Sequence, residues 1–228
     1  TATSFTGGSA QGIRAIANRG YTSVTNTGTI SASSTNSNAL SIVAVGQYGV
    51  DVINSGDLSA DTNALAYGIY ANARFYNAYV KNTGDISTHS TFASTSGIYA
   101  KGGNYAVIVN EGDITVVSDS SVGYGAYAYA LNYDAIIDNS GVISVSALGD
   151  STGLFAKSIE GDAYIYNTGE VSISSQNGIS YGVYASAFQS SAYITNYGDV
   201  SASSQFSDAS AIVAVANNVV AVTNTGVL

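Results

Sequence analysis

The chain has 228 residues, 46% of them hydrophobic, and a net charge of −9 from 15 Asp/Glu against only six Lys/Arg. So few cations cannot neutralise a phosphate backbone, which argues against nucleic-acid partners and, on the same grounds, against anionic lipid. No apolar run approaches the ~20 residues that span a bilayer, and the absence of Cys removes disulfides, thiolate catalysis and zinc–thiolate sites.

Taken in chain order, the same phrases return. The first unit opens on "GIRA" at Gly12 and runs into "YTSVTNTGTIS". The second lacks the Gly: "ALSIVAV" (39–45), whose register is open by one residue, leads to "VDVINSGDLS". "GIYA" at Gly68 precedes "AYVKNTGDIS", and "GIYA" at Gly97 precedes "AVIVNEGDIT". "GAYA" at Gly125, "GLFA" at Gly153 and "GVYA" at Gly182 precede "AIIDNSGVIS", "AYIYNTGEVS" and "AYITNYGDVS". The last unit has "SAIVAVA" without Gly and stops at "NTGVL".

Four columns hold throughout. Asn stands at Asn26, Asn54, Asn82, Asn110, Asn139, Asn167, Asn196 and Asn224, always 28 or 29 residues apart. Gly follows two positions later, an aliphatic residue four positions later, and Val or Ile stands two positions before. An internal repeat of this period outranks any other assignment. Within a unit the apolar residues alternate with period two, so each unit predicts three short strands separated by Gly, Asn and Ser turns, with no helix. A chain that retraces its path every ~28 residues stacks those strands in parallel at about 4.8 Å per turn. The expectation is an all-β parallel β-helix, a β-solenoid of about eight coils and roughly 35–40 Å long, comprising residues 1–228 as a single segment.

Val80- and Ile86-type positions are expected to fill two walls. Ile69, Ile98, Leu154 and Val183 fill the third, with Ala71, Ala100, Ala156 and Ala185 letting it turn a corner. The "N-x-G" phrase reads as a corner: Asn tolerates left-handed torsions and stacks its amide on the next coil, while Gly suits a tight turn. The Asn column is therefore a structural ladder.

The repeat "G-[IVL]-Y-A … A-x-[VI]-x-N-x-G-x-I-x-[VA]-S", running without cysteine over essentially the whole chain, resembles the repetitive passenger domains of Gram-negative autotransporters, the type V secreted proteins. The resemblance implies a right-handed β-helix exposed at the bacterial surface, exported through the outer membrane by a C-terminal β-barrel. Neither barrel nor leader lies in this sequence, and no polar cap is evident. A segment cut from a longer array is expected, touching a membrane only through that missing barrel.

Five surface features are candidates for chemistry. The residue after "N-x-G" is acidic at Asp57, Asp85, Asp113, Glu170 and Asp199, which invites comparison with paired glycosidase carboxylates or weak divalent-cation binding. Yet no unit carries an extra loop to wall a cleft, and the few Lys and Arg do not align, so a solvated stripe is expected. An outward aromatic column, Tyr70, Tyr99, Tyr127, Phe155 and Tyr184, either shields the strand ladder or offers a flat face to a sugar or another rod; Tyr79, Tyr164 and Tyr193 form a patchier set. Ser31, Ser59, Ser87, Thr115, Ser144, Ser172 and Ser201 make a hydroxyl column too irregular for ice binding. His89, the only histidine, reads as solvated and without a partner. "SASSTNSN" (31–38) reads as a bulging turn.

These features predict no enzyme, catalytic residue, metal site or cofactor. They predict an adhesive rod that supports cell adhesion, aggregation or biofilm, with a host or matrix glycan or protein, or neighbouring copies of itself, as partner. A polysaccharide lyase or hydrolase and a ligand-free spacer stalk are the alternatives.

Overall fold

In the computed structural model of the chain, which describes residues 1–4 and 8–228, the described residues form 24 strands and no helix. One interior coil shows the plan: Thr95–Gly102, then Ala106–Asn110, then Ile114–Ser118. Each strand pairs in parallel with its counterparts in the coils before and after, producing three eight-stranded parallel sheets. The sheet containing Ile114–Ser118 is called sheet A here, that containing Thr95–Gly102 sheet B, and that containing Ala106–Asn110 sheet C. The fold is a parallel β-helix with three strands per coil.

Register is kept by the repeat. Ile86 pairs with Ile114, Ile108 with Ile137, and Asn110 with Asn139. Changes in coil length fall in the turns, as at 131–134 and 176–179, so the strands stay in step. In the second coil Ile42 pairs with Ile13 and Ile69, which resolves the open register and puts Ser41 where other coils have Gly. The segment 31–38 is half strand, since Ile30–Ser34 belongs to sheet A and only the residues after it turn.

The core is a stack of side chains contributed once per coil. Ile42, Ile69, Ile98 and Leu154 from sheet B, Ile108 and Ile137 from sheet C, and Ile86, Ile114 and Ile143 from sheet A are all sealed from solvent. Alternation explains which residues go in: in Ala78–Asn82 the first, third and fifth are buried while Tyr79 and Lys81 are half-exposed. The end coils have neighbours on one side only, and Val220 and Val222 of the last one are exposed.

The glycine of the "N-x-G" corner is there because a Cβ would be crowded, as a tight turn requires. No glycine of this column has a φ in the left-handed region. Glycine is required by coil-to-coil approach: a Cβ on Gly84 would lie 2.3 Å from the carbonyl oxygen of Gly56, and one on Gly112 2.2 Å from that of Gly84. At Gly28, in the first coil, the same atom would meet nothing within 4 Å.

The asparagines point inward. Asn82 donates from Nδ2 both to the Gly84 carbonyl at 2.7 Å, closing its own corner, and to Asn110 Oδ1 at 2.8 Å in the next coil. The same pair of bonds recurs from Asn26 to Asn196, each amide bonding the next. Asn54, Asn82, Asn139, Asn167 and Asn196 are completely buried, so each amide meets its needs within the column.

The wall predicted to bend at Ala71 bends earlier. In Ala66–Ala73 both Gly68 and Ile69 face the core, breaking the alternation, and the ladder pairing passes from Tyr67 to Ile69 without the glycine. A Cβ on Gly68 would sit 2.3 Å from Ile86 Cγ2 and 2.6 Å from the Gly97 carbonyl oxygen. Ala71 is fully buried but lies on the straight part of the strand beyond the bend.

Candidate functional site

The bend in sheet B builds the most distinctive outer surface. Because Gly68 and Ile69 both turn inward, Tyr67 and Tyr70 both turn outward, and their rings meet edge-on with centroids 5.4 Å apart. Rings that converge across a bend make the outside concave. Repeating the bend in every coil draws the concavity into a groove along the rod.

Its floor is the predicted aromatic column. Tyr70 stacks on Tyr99 at 5.4 Å and 11°, Tyr127 on Phe155 at 4.6 Å and 15°, and Phe155 on Tyr184 at 4.8 Å and 3°; Tyr99 meets Tyr127 edge-on at 5.3 Å. All five side chains are half-buried, not fully projecting. One wall comes from a second column, which holds Tyr67, Tyr124 and Tyr181 on alternate coils, with Ser96 and Thr152 between them. Tyr67 leans toward Tyr99 (6.2 Å), and Tyr124 lies against both Tyr127 (5.3 Å) and Phe155 (6.3 Å). The sequence signal for this wall was "Y-G-x-Y" in every second unit. The period-two rule hid it, because it sends residues three apart to opposite faces.

The other wall corrects the expectation that basic residues do not align. Lys101, Tyr129 and Lys157 occupy one register column on three successive coils. The Lys101 ammonium lies 5.4 Å and the Lys157 ammonium 5.6 Å from the centre of the Tyr129 ring, so one ring is sandwiched between two cations. Tyr129 is 6.3 Å from Tyr127, which joins this wall to the floor.

Burial dominates the electrostatics of the phenols. It pushes Tyr99 up to about 12, with Tyr70, Tyr67 and Tyr129 adding to the effect, and it raises Tyr67, Tyr124 and Tyr127 as well. Near neutral pH these hydroxyls are therefore uncharged and able both to donate and to accept hydrogen bonds.

The remaining candidates lie elsewhere. The acidic column borders the "N-x-G" corner, and four of its five carboxylates, all but Glu170, are engaged with the scaffold. Asp57 Oδ1 accepts the backbone N–H of Asp85 (3.2 Å), Asp85 that of Asp113 (3.1 Å), Asp113 that of Val142 (2.9 Å) and Asp199 that of Val227 (2.9 Å). The N–H just before the strands that open at Ile86, Ile114 and Ile143, and that of Val227, would otherwise lack a partner, and the preceding coil's carboxylate supplies one. Asp134 and Asp162 do the same at the corner before sheet C, and Asp150 at the corner before sheet B. The column is thus a hydrogen-bonded ladder and not simply a solvated stripe. No group of three or more His, Asp or Glu among the described residues is arranged to hold a metal ion.

His89 also departs from expectation. Its Nδ1 is 2.7 Å from Asp61 Oδ1 in the preceding coil and its Nε2 3.0 Å from Asp119 Oδ2 in the next. The bonds to Asp119 and Asp61 hold its pKa above the usual histidine value, against the opposing effect of burial. Asp61 could be paired with His89 from register, but Asp119 sits in the turn after Ser118, where the repeat gives no register.

The smaller columns form only in part. Tyr164 stacks on Tyr193 at 4.9 Å, whereas Val107 and Ile136 separate Tyr79 from Tyr164. In the hydroxyl column Ser201 bonds Ser172 at 3.2 Å.

Comparison with known proteins agrees with this architecture. A family model described as the BigA third pectate lyase-like domain matches residues 2–228. No curated protein and no solved structure matches the chain. Since the match runs over almost its whole length, the chain belongs to the BigA third pectate lyase-like domain family.

Proposed function

We propose that the chain is a non-enzymatic, adhesive β-helix rod of a bacterial surface protein, and that it makes contact through the aromatic groove of sheet B. The carrying observation is the groove itself. Rings touch without a gap from Tyr70 to Tyr184, stacked except for the edge-on contact of Tyr99 with Tyr127, half-open to solvent on a parallel scaffold. Shielding the ladder would need one ring per coil; the added wall of Tyr67, Tyr124 and Tyr181 makes a concave, amphipathic surface suited to a ligand. The resemblance of the repeat to autotransporter passengers supports a place at the cell surface.

The family's description brings polysaccharide cleavage to mind as a second reading. Among the acids, Asp57, Asp85, Asp113 and Asp199 of the corner column each spend an oxygen on a backbone N–H of the next coil, and Asp61 and Asp119 are engaged with His89. Carboxylates held this way support an assignment to scaffold.

The test is adhesion or aggregation by cells displaying the intact protein, with Tyr70, Tyr99, Tyr127 and Tyr184 changed to Ser. Lost adhesion with normal surface display supports the reading. Unchanged adhesion leaves this segment a spacer. Release of unsaturated sugar from polygalacturonate by the purified chain would make it an enzyme instead.

A further inference from the structure

The groove has a charge as well as a shape, and the charge names a ligand class. The eight strands of sheet B contain no Asp or Glu, in a chain that has 15 of them, and they carry Arg14, Lys101 and Lys157. The strands of this one face are free of acids on an otherwise acidic rod, and Asp150, at the corner before sheet B, is a carboxylate that reaches the groove wall, where it adds to the raised pKa of Tyr124. Neither Lys101 nor Lys157 forms an ion pair among the described residues, whereas Lys81 on sheet C is paired with Glu111 at 3.0 Å. Their stems are half-buried and their ammonium groups are held over Tyr129, which keeps two like charges apart and ordered before any ligand arrives.

Resting on the adhesive reading above, we propose that the groove binds an acidic polysaccharide carrying one carboxylate on every second sugar, lying parallel to the rod axis. The spacing carries this. Lys101 and Lys157 are two coils apart, roughly 9–10 Å along the axis, which is close to the repeat of a disaccharide in an extended chain. One uronate carboxylate meets Lys101, the next meets Lys157, and the sugar between them rests at Tyr129. The floor of Tyr99, Tyr127 and Phe155 beside them, whose rings are packed on one another along the rod, offers ring edges to the apolar parts of the sugars, and the neutral phenols of Tyr99, Tyr124 and Tyr127 offer hydroxyls to the sugar hydroxyls. A polymer charged on every sugar would leave alternate carboxylates without a cation. A neutral polymer would leave both ammonium groups unused.

The experiment titrates the purified chain with three probes: a hyaluronan oligosaccharide, in which uronate alternates with an uncharged amino sugar, its carboxyl-reduced form, and an oligogalacturonate. Hyaluronan is expected to bind most tightly, with affinity falling as salt rises. Carboxyl reduction, or the pair of changes Lys101→Gln and Lys157→Gln, is expected to weaken binding about tenfold or more, one charged hydrogen bond being worth about that factor. Both lysines lie on the outer face, so an unchanged melting temperature in the variant checks that the fold persists. The proposal is overturned if hyaluronan does not bind, if the reduced form binds equally well, if oligogalacturonate binds more tightly, or if the double variant binds as before. In each of those cases, Tyr-dependent adhesion of displaying cells would leave the adhesive reading standing with a different partner (another glycan where a probe still binds, a protein or a second copy where none does); loss of that dependence would remove the reading itself.

Discussion

Ser41 and Leu58 are a matched pair. In six coils the third-wall position is glycine, and a Cβ there would collide with the β-branched residue on sheet A of the same coil: Gly12 with Ile30 at 2.1 Å, Gly68 with Ile86 at 2.3 Å, Gly97 with Ile114 at 2.3 Å, Gly153 with Val171 at 2.5 Å. The second coil has Ser41 in place of glycine, and it is also the coil where Leu58 replaces the β-branched residue. Leucine branches one carbon later and vacates the space that a Cγ2 would fill. The last coil repeats the exchange in sequence, with Ala211 and Leu228. Ser41 uses its room to donate a hydrogen bond to the Ser59 carbonyl at 2.7 Å.

The pair should therefore be coupled. Leu58→Ile alone is expected to cost about 1–3 kcal/mol by overpacking against Ser41. Adding Ser41→Gly should recover much of that, because it recreates the pair found in the other coils. Denaturant unfolding of the two single variants and the double variant measures the coupling, expected at about 1 kcal/mol or more. Additive effects would show that the two side chains do not share space.

The buried asparagine column should be strongly position-dependent. Asn110→Ala removes an amide that donates to Gly112 and Asn139 and accepts from Asn82, leaving buried groups unpaired in three coils. A loss of about 2–4 kcal/mol is expected. Asn224 lies in the exposed last coil, accepts from Asn196 and donates to Gly226. In the 228-residue chain by itself water can replace those partners, and there Asn224→Ala should cost under about 1 kcal/mol. Equal losses at the two positions would mean that the ladder is not what holds the corner.

How much of this was readable from the sequence follows from what the repeat encodes. Period and alternation place a residue in a column and on a face, so the three walls, the Asn column and the Tyr70-type column could all be read directly. Three kinds of relation escape that reading. The bend at Gly68 puts two neighbouring residues inside and hides Tyr67, Tyr124 and Tyr181 from a period-two rule. Turn residues have no register in the repeat, which separated Asp119 from His89. Lys101 and Lys157 were aligned all along, four residues after Gly97 and Gly153, but two lysines spaced by a tyrosine do not look like a column until neighbouring coils are laid side by side. The acids are legible in the sequence as a column but not as ladder partners, because which N–H lacks a strand partner is a property of the corner geometry.

His89 should give the fold a pH dependence of definite sign. With a carboxylate oxygen at each ring nitrogen, the doubly protonated ring satisfies both contacts and the neutral ring only one. Its pKa is raised in the folded state, so its contribution is fully present below the unfolded value of about 6.5 and is lost as pH rises through the folded value. All three side chains are substantially exposed, with 40% for His89, 67% for Asp61 and 51% for Asp119, so solvent screening keeps the effect below about 1 kcal/mol. The melting temperature of His89→Gln should fall below that of the parent near pH 5.5 and converge with it near pH 9. A gap that does not change with pH would mean that the imidazolium is not what joins the coils.

The aromatic groove should limit stability at alkaline pH. Tyrosine in an unfolded chain loses its proton near pH 10, whereas burial pushes Tyr99 up to about 12 and raises Tyr67, Tyr124 and Tyr127 too. Since the folded values lie above the unfolded one, stability from these rings is intact below about pH 10 and is lost as pH climbs from there through the folded values. Physically, a phenolate formed within the stack would lose hydration beside rings that cannot compensate it. Spectrophotometric titration should therefore show a late group of tyrosines whose ionisation coincides with loss of the β-sheet circular dichroism. Tyr99→Phe keeps the stacked ring and removes one ionising group, so it should move that coupled transition to higher pH while leaving neutral-pH stability nearly unchanged. If every tyrosine ionises near pH 10 with the coils intact, the rings are not packed against one another as a groove, and the contact surface they are proposed to form does not exist in solution.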